Sequence, residues 1–358
     1  MNFYVVFTLL MGLVVLAQWK GKRIGYILLA LISFLFAFRG INVGSDTSVL
    51  LDRMSMLRKA SFLDNIDFSL DNLGNQTELL NNFINKMVLQ WGVDTRYVLY
   101  IYAITIFIFL LLSFRRFKCN TAYAVVIYVL LGHFFISLQT SRQLCAVSIL
   151  LYSYSFLIEE GRKKYLFFLW GIVATLIHAY SIFCLPLFFV IYMPRLKDSI
   201  VMVLYIVCLF LVTLKLDVVQ NLSDSIDMEA VSAYVDRYNE MYQLGITNIF
   251  TSWVMITILF YFYKKTTEGV SKVPVCISNL YLVSIVIFSL FYLYSGIINR
   301  VVNNFSIIQC VFISYLLSYK NLKKDVMLIA VFLVLLLLRA YKNHYFIDSL
   351  STNYYLCF

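Results

Sequence analysis

Long apolar runs follow one another along almost the whole chain, and this feature constrains the fold more than any other. With 62% hydrophobic and 13% charged residues, the chain carries more apolar side chain than a water-soluble core can bury. We therefore predict an all-α, polytopic integral membrane protein, with residues 1–358 forming a single transmembrane domain. The ten runs of span-like length lie at residues 2–18, 24–38, 96–114, 121–138, 143–158, 199–214, 247–263, 277–296, 300–319 and 325–341.

The charges between the runs predict their orientation. Short basic connections, which the positive-inside rule assigns to the cytoplasm, lie at 20–23, 115–118, 162–164, 264–272 and 320–324. Two longer loops differ: residues 39–95 carry five basic and seven acidic side chains, and residues 215–246 carry two basic and six acidic ones. We predict that both are external, with surface helices at 78–90 and 224–240, either of which could gate a substrate entrance. Much of the net charge of +10 is then accounted for by cytoplasmic loops, so no nucleic-acid partner is predicted.

One further apolar run, residues 165–193, has an unusual length. The chain must cross the membrane an odd number of times between the basic loop at 115–118 and the acidic loop at 215–246, and four runs lie between them. The number of crossings between these loops becomes odd if residues 165–193 enter the membrane and return to the same side. The whole chain then makes about twelve crossings, with both termini outside. Its 29 residues are too few for two α-helical spans of ~20 residues each. We predict a short, tilted or re-entrant broken hairpin with its bend at 177–181.

Five polar residues fall at the predicted outer face. Arg39 and Asp46 follow the second span, Arg142 lies in a tight turn, His178 lies at the bend of the hairpin, and Arg300 precedes a late span. Arginines at outer helix ends run against the positive-inside tendency, and charges near lipid depth are costly, so we treat the five as candidate site residues. The planar guanidinium fork suits phosphate oxygens.

Each of these residues also has a purely structural interpretation. Arg39 could form an ion pair with Asp46, Arg142 could bond backbone carbonyls of a neighbouring turn, and Arg300 could snorkel to the interface. His178 could be a hydrogen-bonded core histidine, and Asp46 could cap a helix over residues 47–59.

No metal site and no cofactor are predicted. His133 lies on an apolar run and His344 near the end of the chain, without carboxylate or cysteine partners at ligand spacing. The seven cysteines show no CxxC or Cys/His spacing, and most lie in apolar runs, so we interpret them as small core residues.

Four motifs together carry a resemblance to a known family. They are Phe38-Arg39-Gly40 followed by Val43-Gly44-Ser45-Asp46-Thr47, then Ser141-Arg142-Gln143 with Ala146, then Leu176-Ile177-His178-Ala179-Tyr180-Ser181, and finally Asn299-Arg300. In this order the chain resembles the EpsG-like branch of bacterial polysaccharide polymerases, broadly the Wzy-type O-antigen and capsule polymerases.

The resemblance implies a metal-independent glycosyltransferase of the inner membrane whose active site faces the periplasm or cell exterior. It would join oligosaccharide repeat units carried on undecaprenyl pyrophosphate, which serve as both donor and acceptor. We expect Arg142 and Arg300, with Arg39, to bind the donor pyrophosphate. His178 or Asp46 would take the proton from the attacking sugar hydroxyl, and we favour His178 as the base and Asp46 as an orienting group. The expected partners are these lipid-linked saccharides, membrane lipid, a chain-length regulator and a flippase.

Other functions use the same lipid-linked donor. A flippase or transporter of lipid-linked oligosaccharides would also need cations for the pyrophosphate, but many transporters carry an internal repeat that this sequence lacks. An O-antigen ligase shares the donor and differs in its acceptor, and a membrane acyltransferase that decorates sugars remains a further alternative. The sequence distinguishes a polymerase from a ligase poorly.

Overall fold

The structure, a computed structural model, describes residues 22–39, 78–92, 94, 96–134, 140–159, 161–214, 246–267, 274–290 and 297–318. In these ranges every regular element is a helix, as predicted, and the described residues up to Leu185 and from Pro186 onwards group into two compact units. The prediction of a single transmembrane domain stays a prediction. So does the count of about twelve crossings, because the runs at 2–18 and 325–341 and most of both predicted external loops lie outside the described residues.

The described residues of the first unit form six α-helices and several 3₁₀ segments. The α-helices are α1 (Lys22–Ala37), α2 (Leu79–Gln90), α3 (Tyr97–Arg116), α4 (Thr121–Leu130), α5 (Ser141–Tyr154) and α6 (Leu166–Ile177). The 3₁₀ helices are Ser155–Ile158, which continues α5, Gly161–Tyr165, and Ala179–Tyr192, whose residues up to Leu185 belong to this unit. In the predicted run 121–138, helix α4 ends at Leu130 because the chain turns at Gly132, whose φ is +86°, and helical backbone resumes at His133 and Phe134.

Among the described residues of this unit, two helical segments are long and apolar enough to cross a bilayer by length and composition. They are Tyr97–Arg116, of 20 residues, and Ser141–Ile158, of 18 residues. At ~1.5 Å per residue the first is ~30 Å long, which equals the thickness of a hydrocarbon core. The protein buries 83% of Ser141–Ile158 but only 44% of Tyr97–Arg116, so α5 is the central helix of the unit.

Contacts at the helix ends give the first unit two distinct ends. A Cβ on Gly25 of α1 would lie 2.5 Å from the backbone nitrogen of Ala122, so α1 and α4 begin side by side. At the same end, Arg116 of α3 donates through Nε to Ser155 Oγ at 2.9 Å and forms an ion pair with Glu159 at 2.6 Å. Helices α3 and α5 therefore end where α1 and α4 begin, and we call this the basic end.

An aromatic cluster joins α3, α5 and α6. The rings of Phe109, Tyr152 and Trp170 meet edge to face, with centroids 5.2 to 5.5 Å apart. Such pairs contribute ~0.5–1.5 kcal/mol each beyond their burial. The cluster fixes the positions of α5 and α6 relative to each other, and thereby the positions of the side chains at their far ends.

The predicted break in the run 165–193 lies at His178, whereas the re-entrant placement of this hairpin in the membrane stays a prediction. Helix α6 ends at Ile177, and His178 adopts an extended conformation with φ −147° and ψ 112°. A Cβ on Gly171 would lie 2.6 Å from Leu185, and these two residues are equally far from His178 along the chain, so the chain folds back there. The second arm differs from expectation because it is a 3₁₀ helix with Pro186 inside. A 3₁₀ helix rises ~2.0 Å per residue, so this arm is longer than the α-helix of the same number of residues that the sequence analysis assumed.

The described residues of the second unit form α7 (Asp198–Leu214), α8 (Ile246–Thr267), α9 (Val275–Leu290), α10 (Ile297–Ser306) and α11 (Ile308–Leu317). The predicted run 300–319 is thus two helices that meet at Ile307. Helices α9 and α11 pack closely, since the rings of Tyr281 and Phe312 stack at 3.6 Å and Gln309 donates to Ser284 Oγ at 3.1 Å.

Candidate functional site

Arg39 is a buried cation at the end of α1. Its side chain is almost completely enclosed, and its guanidinium lies 4.3 Å over the ring of Phe36. Nη1 donates to the carbonyl of Phe36 at 3.4 Å, and Nη2 donates to Ser141 Oγ. A cation is favourable at a helix C-terminus, where backbone carbonyls concentrate negative charge. Arg39 therefore holds the end of α1 against the first residue of α5, at the end of the unit opposite the basic end.

Arg142, the second residue of α5, forms an ion pair with a buried carboxylate. Its Nη1 lies 2.6 Å from Oε2 of Glu78, the residue that precedes α2. The side chain of Glu78 is 3% exposed and that of Arg142 is 19% exposed. An ionised carboxylate buried this deeply needs a cation and hydrogen bonds to offset its lost hydration. Arg142 supplies the cation and also retains a partly exposed surface through which an anion can approach.

A second set of hydrogen bonds fixes Glu78 from the side of α2 and α3. Asn81 Nδ2 donates to Glu78 Oε2 at 3.4 Å, and the hydroxyl of Tyr102 donates to Asn81 Oδ1. Asn81 and Tyr102 are fully buried. Because Tyr102 occupies the oxygen of the Asn81 amide, the nitrogen of that amide is oriented towards the carboxylate.

His178 completes the cluster from the bend of the hairpin. Its Nδ1 lies 3.3 Å from Oε1 of Glu78, and its side chain is 8% exposed. The backbone N–H of His178 donates to the carbonyl of Ala174 at 2.9 Å, as in an α-helix, and the extended φ and ψ of His178 then end α6. One carboxylate thus faces an arginine through one oxygen and a histidine through the other.

The match to known families extends over nearly the whole chain. The family model described as EpsG family matches residues 22–357. The chain belongs to the EpsG family. No curated protein and no solved structure matches it. Membership of this family, together with the apolar helices, indicates a membrane protein with a polysaccharide polymerase type of function.

In this EpsG family protein, three of the five predicted site residues lie at one end of the first unit. Arg39 and Arg142 are linked through Ser141, and Arg142 and His178 are linked through Glu78. Arg300 is the fourth residue of α10 and belongs to the second unit. Asp46 lies outside the described residues, and its predicted orienting role stays a prediction.

Glu78 is the residue that the sequence analysis missed. The stretch 78–90 does form a helix, but α2 packs against α3 and α6 with its polar side inwards. Asn81 and Asn85 are fully buried, whereas Leu79 and Phe83 are 40% and 47% exposed. This is the reverse of a soluble amphipathic helix and suits a helix whose outer face meets lipid. The helical spacing of Glu78, Asn81 and Asn85 was the available signal, because it places three polar groups on one face.

The part of the chain that the structure describes shows no candidate metal site. Within those ranges, no three His, Cys, Asp or Glu side chains come together as a metal ion would require. The predicted metal independence stays a prediction.

Proposed function

We propose that this protein is a metal-independent membrane glycosyltransferase that polymerises oligosaccharide repeat units linked to undecaprenyl pyrophosphate. The proposed site faces the outside of the inner membrane, where a flippase delivers the units and a chain-length regulator limits the product. The observation that carries the proposal is the buried cluster of Arg142, Glu78 and His178, with Arg39 beside it, in a chain of the EpsG family.

The proposed reaction transfers the growing chain to a newly delivered unit. The bond between the anomeric carbon and the phosphate oxygen of the donor breaks, and its electron pair leaves with undecaprenyl pyrophosphate. A hydroxyl of the acceptor sugar forms the new bond to the anomeric carbon and gives up its proton. Nδ1 of His178 faces Glu78, so a proton on Nδ1 leaves the Nε2 lone pair to accept the proton of the hydroxyl.

The leaving diphosphate needs positive charge, and the cluster has it. The described side chains of the cluster include two guanidinium groups, of Arg39 and Arg142, and the carboxylate of Glu78, and the charges of these three side chains sum to one excess positive charge. Fixed cations that face a developing anion in a poorly hydrated site lower the barrier to bond breaking. Arg300 is proposed as a further pyrophosphate ligand on the basis of its sequence motif.

The distribution of charge along the first unit supports an outward-facing site. Arg115, Arg116 and Lys163 lie at the basic end, and α3, about 30 Å long, separates that end from the cluster. The positive-inside rule assigns the basic end to the cytoplasm. The cluster would then face the opposite side of the bilayer.

Arg142→Ala and His178→Ala test the proposal directly. The purified variants are reconstituted in nanodiscs with lipid-linked saccharide extracted from cells that lack the protein, with and without EDTA, and products are separated on gels. Wild-type protein should give a ladder of lengthening chains that survives chelation. Each variant should extend chains ~100-fold or more slowly, because Arg142→Ala removes charge stabilisation and His178→Ala removes the base.

Arg116→Ala is the matched control, since Arg116 also forms a 2.6 Å ion pair with a glutamate but lies at the basic end. It should extend chains within about twofold of the wild-type rate, because such a partly exposed pair contributes little. Long chains from Arg142→Ala would contradict the diphosphate site, and normal rates from His178→Ala would transfer the role of base to Asp46. In cells, loss of the protein should leave single repeat units on the surface; a ligase would leave none, and a flippase would leave units inside.

A further inference from the structure

Glu78 lies between two groups that have different tasks in the proposed reaction. Its Oε2 is 2.6 Å from Arg142, the proposed diphosphate ligand, and its Oε1 is 3.3 Å from His178, the proposed base. A length of ~2.7–2.9 Å is usual for a hydrogen bond between an ionised donor and a carboxylate. The carboxylate is therefore bonded tightly to Arg142 and only faces His178 at a longer distance.

A diphosphate that binds Arg142 competes with this carboxylate. Both are anions, and both need the same guanidinium N–H groups. Glu78 is nearly fully buried, so its charge is poorly screened and it opposes the approach of a second anion. If the diphosphate takes the place of Oε2 on Arg142, the carboxylate needs another cationic partner, and the nearest described candidate is the imidazole of His178.

We propose that Glu78 is a positioning residue that exchanges partners during the reaction, from Arg142 before the donor binds to His178 once the diphosphate occupies Arg142. The proposal rests on the proposed function, because the competing anion is the diphosphate of the lipid-linked donor. The proton that His178 takes from the acceptor hydroxyl makes the imidazole cationic, and the released carboxylate stabilises that charge. Donor binding is thereby linked to the readiness of the base.

Asn81 keeps the carboxylate in place during the exchange. Its Nδ2 donates to Glu78 Oε2 at 3.4 Å, and the hydroxyl of Tyr102 fixes the orientation of the amide. Neither residue belongs to α5 or α6. The carboxylate therefore retains a donor on its own helix while its contacts to the other helices change.

Glu78→Gln tests the exchange because glutamine keeps the shape and one acceptor oxygen but removes the charge. The variant should bind radiolabelled undecaprenyl pyrophosphate in nanodiscs about five- to tenfold more tightly than wild-type protein, because a competing charge is gone. Its maximal extension rate should fall about 100-fold, because the imidazolium loses its counter-charge. The paired changes, a lower Kd with a lower kcat, are not expected from a residue that only supports the fold.

Glu159→Gln, at the opposite end of the unit, is the matched control and should leave both quantities within about twofold of wild type. In an Arg142→Ala background, Glu78→Gln should no longer tighten binding, because both residues act through one contact. Should Glu78→Gln not fold, Glu78→Asp keeps the charge and should bind with nearly wild-type affinity.

Equal or weaker binding by Glu78→Gln, or tighter binding by Glu78→Asp, overturns the competition. Tighter binding with an unchanged rate overturns the exchange to His178. If wild-type protein makes no ladder while Glu78→Gln still binds undecaprenyl pyrophosphate more tightly, the proposed function fails and the competition at Arg142 stands.

Discussion

Two asparagines on the inner face of α2 are equally buried but differently bonded. Asn81 contacts both Glu78 and Tyr102. Asn85, one turn later, is also fully buried, and in the part of the chain that the structure describes neither its Nδ2 nor its Oδ1 has a hydrogen-bond partner. An unsatisfied buried amide costs about 1–3 kcal/mol. The same substitution at Asn81 and at Asn85 should therefore change the free energy of unfolding in opposite directions.

Asn85→Leu should raise the free energy of unfolding by ~1–2 kcal/mol, because an apolar side chain of similar size removes the unsatisfied amide. Asn81→Leu should lower it by ~1–3 kcal/mol, because it removes a donor to Glu78 and the acceptor of Tyr102. Thermal unfolding of both variants in detergent, followed by intrinsic fluorescence, measures the difference. A lower melting temperature for Asn85→Leu would show that this amide is satisfied within the membrane.

A sequence shows which charged or titratable residues are energetically unfavourable at membrane depth more readily than it shows which residues they contact. Arg39, Arg142 and His178 were recognisable because charged or titratable groups at membrane depth are expensive. The partner of Arg142 was not recognisable, because Glu78 lies 64 residues away in sequence and is one of several acidic residues in its loop. Only the packing of α2 against α3 and α6 selects this carboxylate.

At the scale of elements, two glycines allow close contact but against different kinds of atom. A Cβ on Gly25 would meet backbone atoms of Thr121 and Ala122 at 2.5 to 2.7 Å, so α1 and α4 would have to move apart. A Cβ on Gly171 would meet the terminal methyl of Leu185 at 2.6 Å, and a side-chain end can rotate away.

Gly25→Ala should therefore lower the free energy of unfolding by about 1–3 kcal/mol, the usual range for overpacking. Gly171→Ala should be nearly neutral, because alanine gains ~0.5–1 kcal/mol of helix propensity that offsets a displaced leucine. Melting temperatures of the two variants in one detergent give the comparison. Equal losses would mean that the bend at His178 is as tightly packed as the contact between α1 and α4.

The helices themselves were largely predictable, and their interruptions were not. Apolar length predicted α3 and α5 within a few residues of their observed bounds. The break at His178 followed from counting crossings, because 29 residues are too few for two α-helical spans. The 3₁₀ form of the arm after His178 was missed, because α and 3₁₀ helices present almost the same apolar composition and differ only in rise.

At the scale of the whole molecule, the charge pattern of the first unit predicts its orientation. Trp91, which follows α2 and precedes the start of α3, is 63% exposed, and the side chain of Lys163 near the basic end is 72% exposed. Each position offers an accessible point on one of the two ends. The described cysteines are buried or partly buried, which keeps their background reactivity low.

Trp91→Cys should react with a membrane-impermeant maleimide in intact cells, and Lys163→Cys should react only after the membrane is permeabilised, because the basic end is cytoplasmic. Labelling is measured by gel shift, with the unsubstituted chain as background. The reverse pattern would place the cluster of Arg142, Glu78 and His178 on the cytoplasmic side and contradict an outward-facing site.

The inward polar face of α2 has a consequence for biogenesis. A helix of twelve residues with Asn81 and Asn85 on its surface is too short and too polar to remain in hydrocarbon alone. The hydroxyl of Tyr102 on α3 bonds Asn81, and His178 at the end of α6 faces Glu78, and both of these helices leave the ribosome later. Helix α2 is therefore synthesised before the helices against which it packs. A nascent chain that ends before Ile177 lacks part of the α6 surface that α2 contacts in the folded protein.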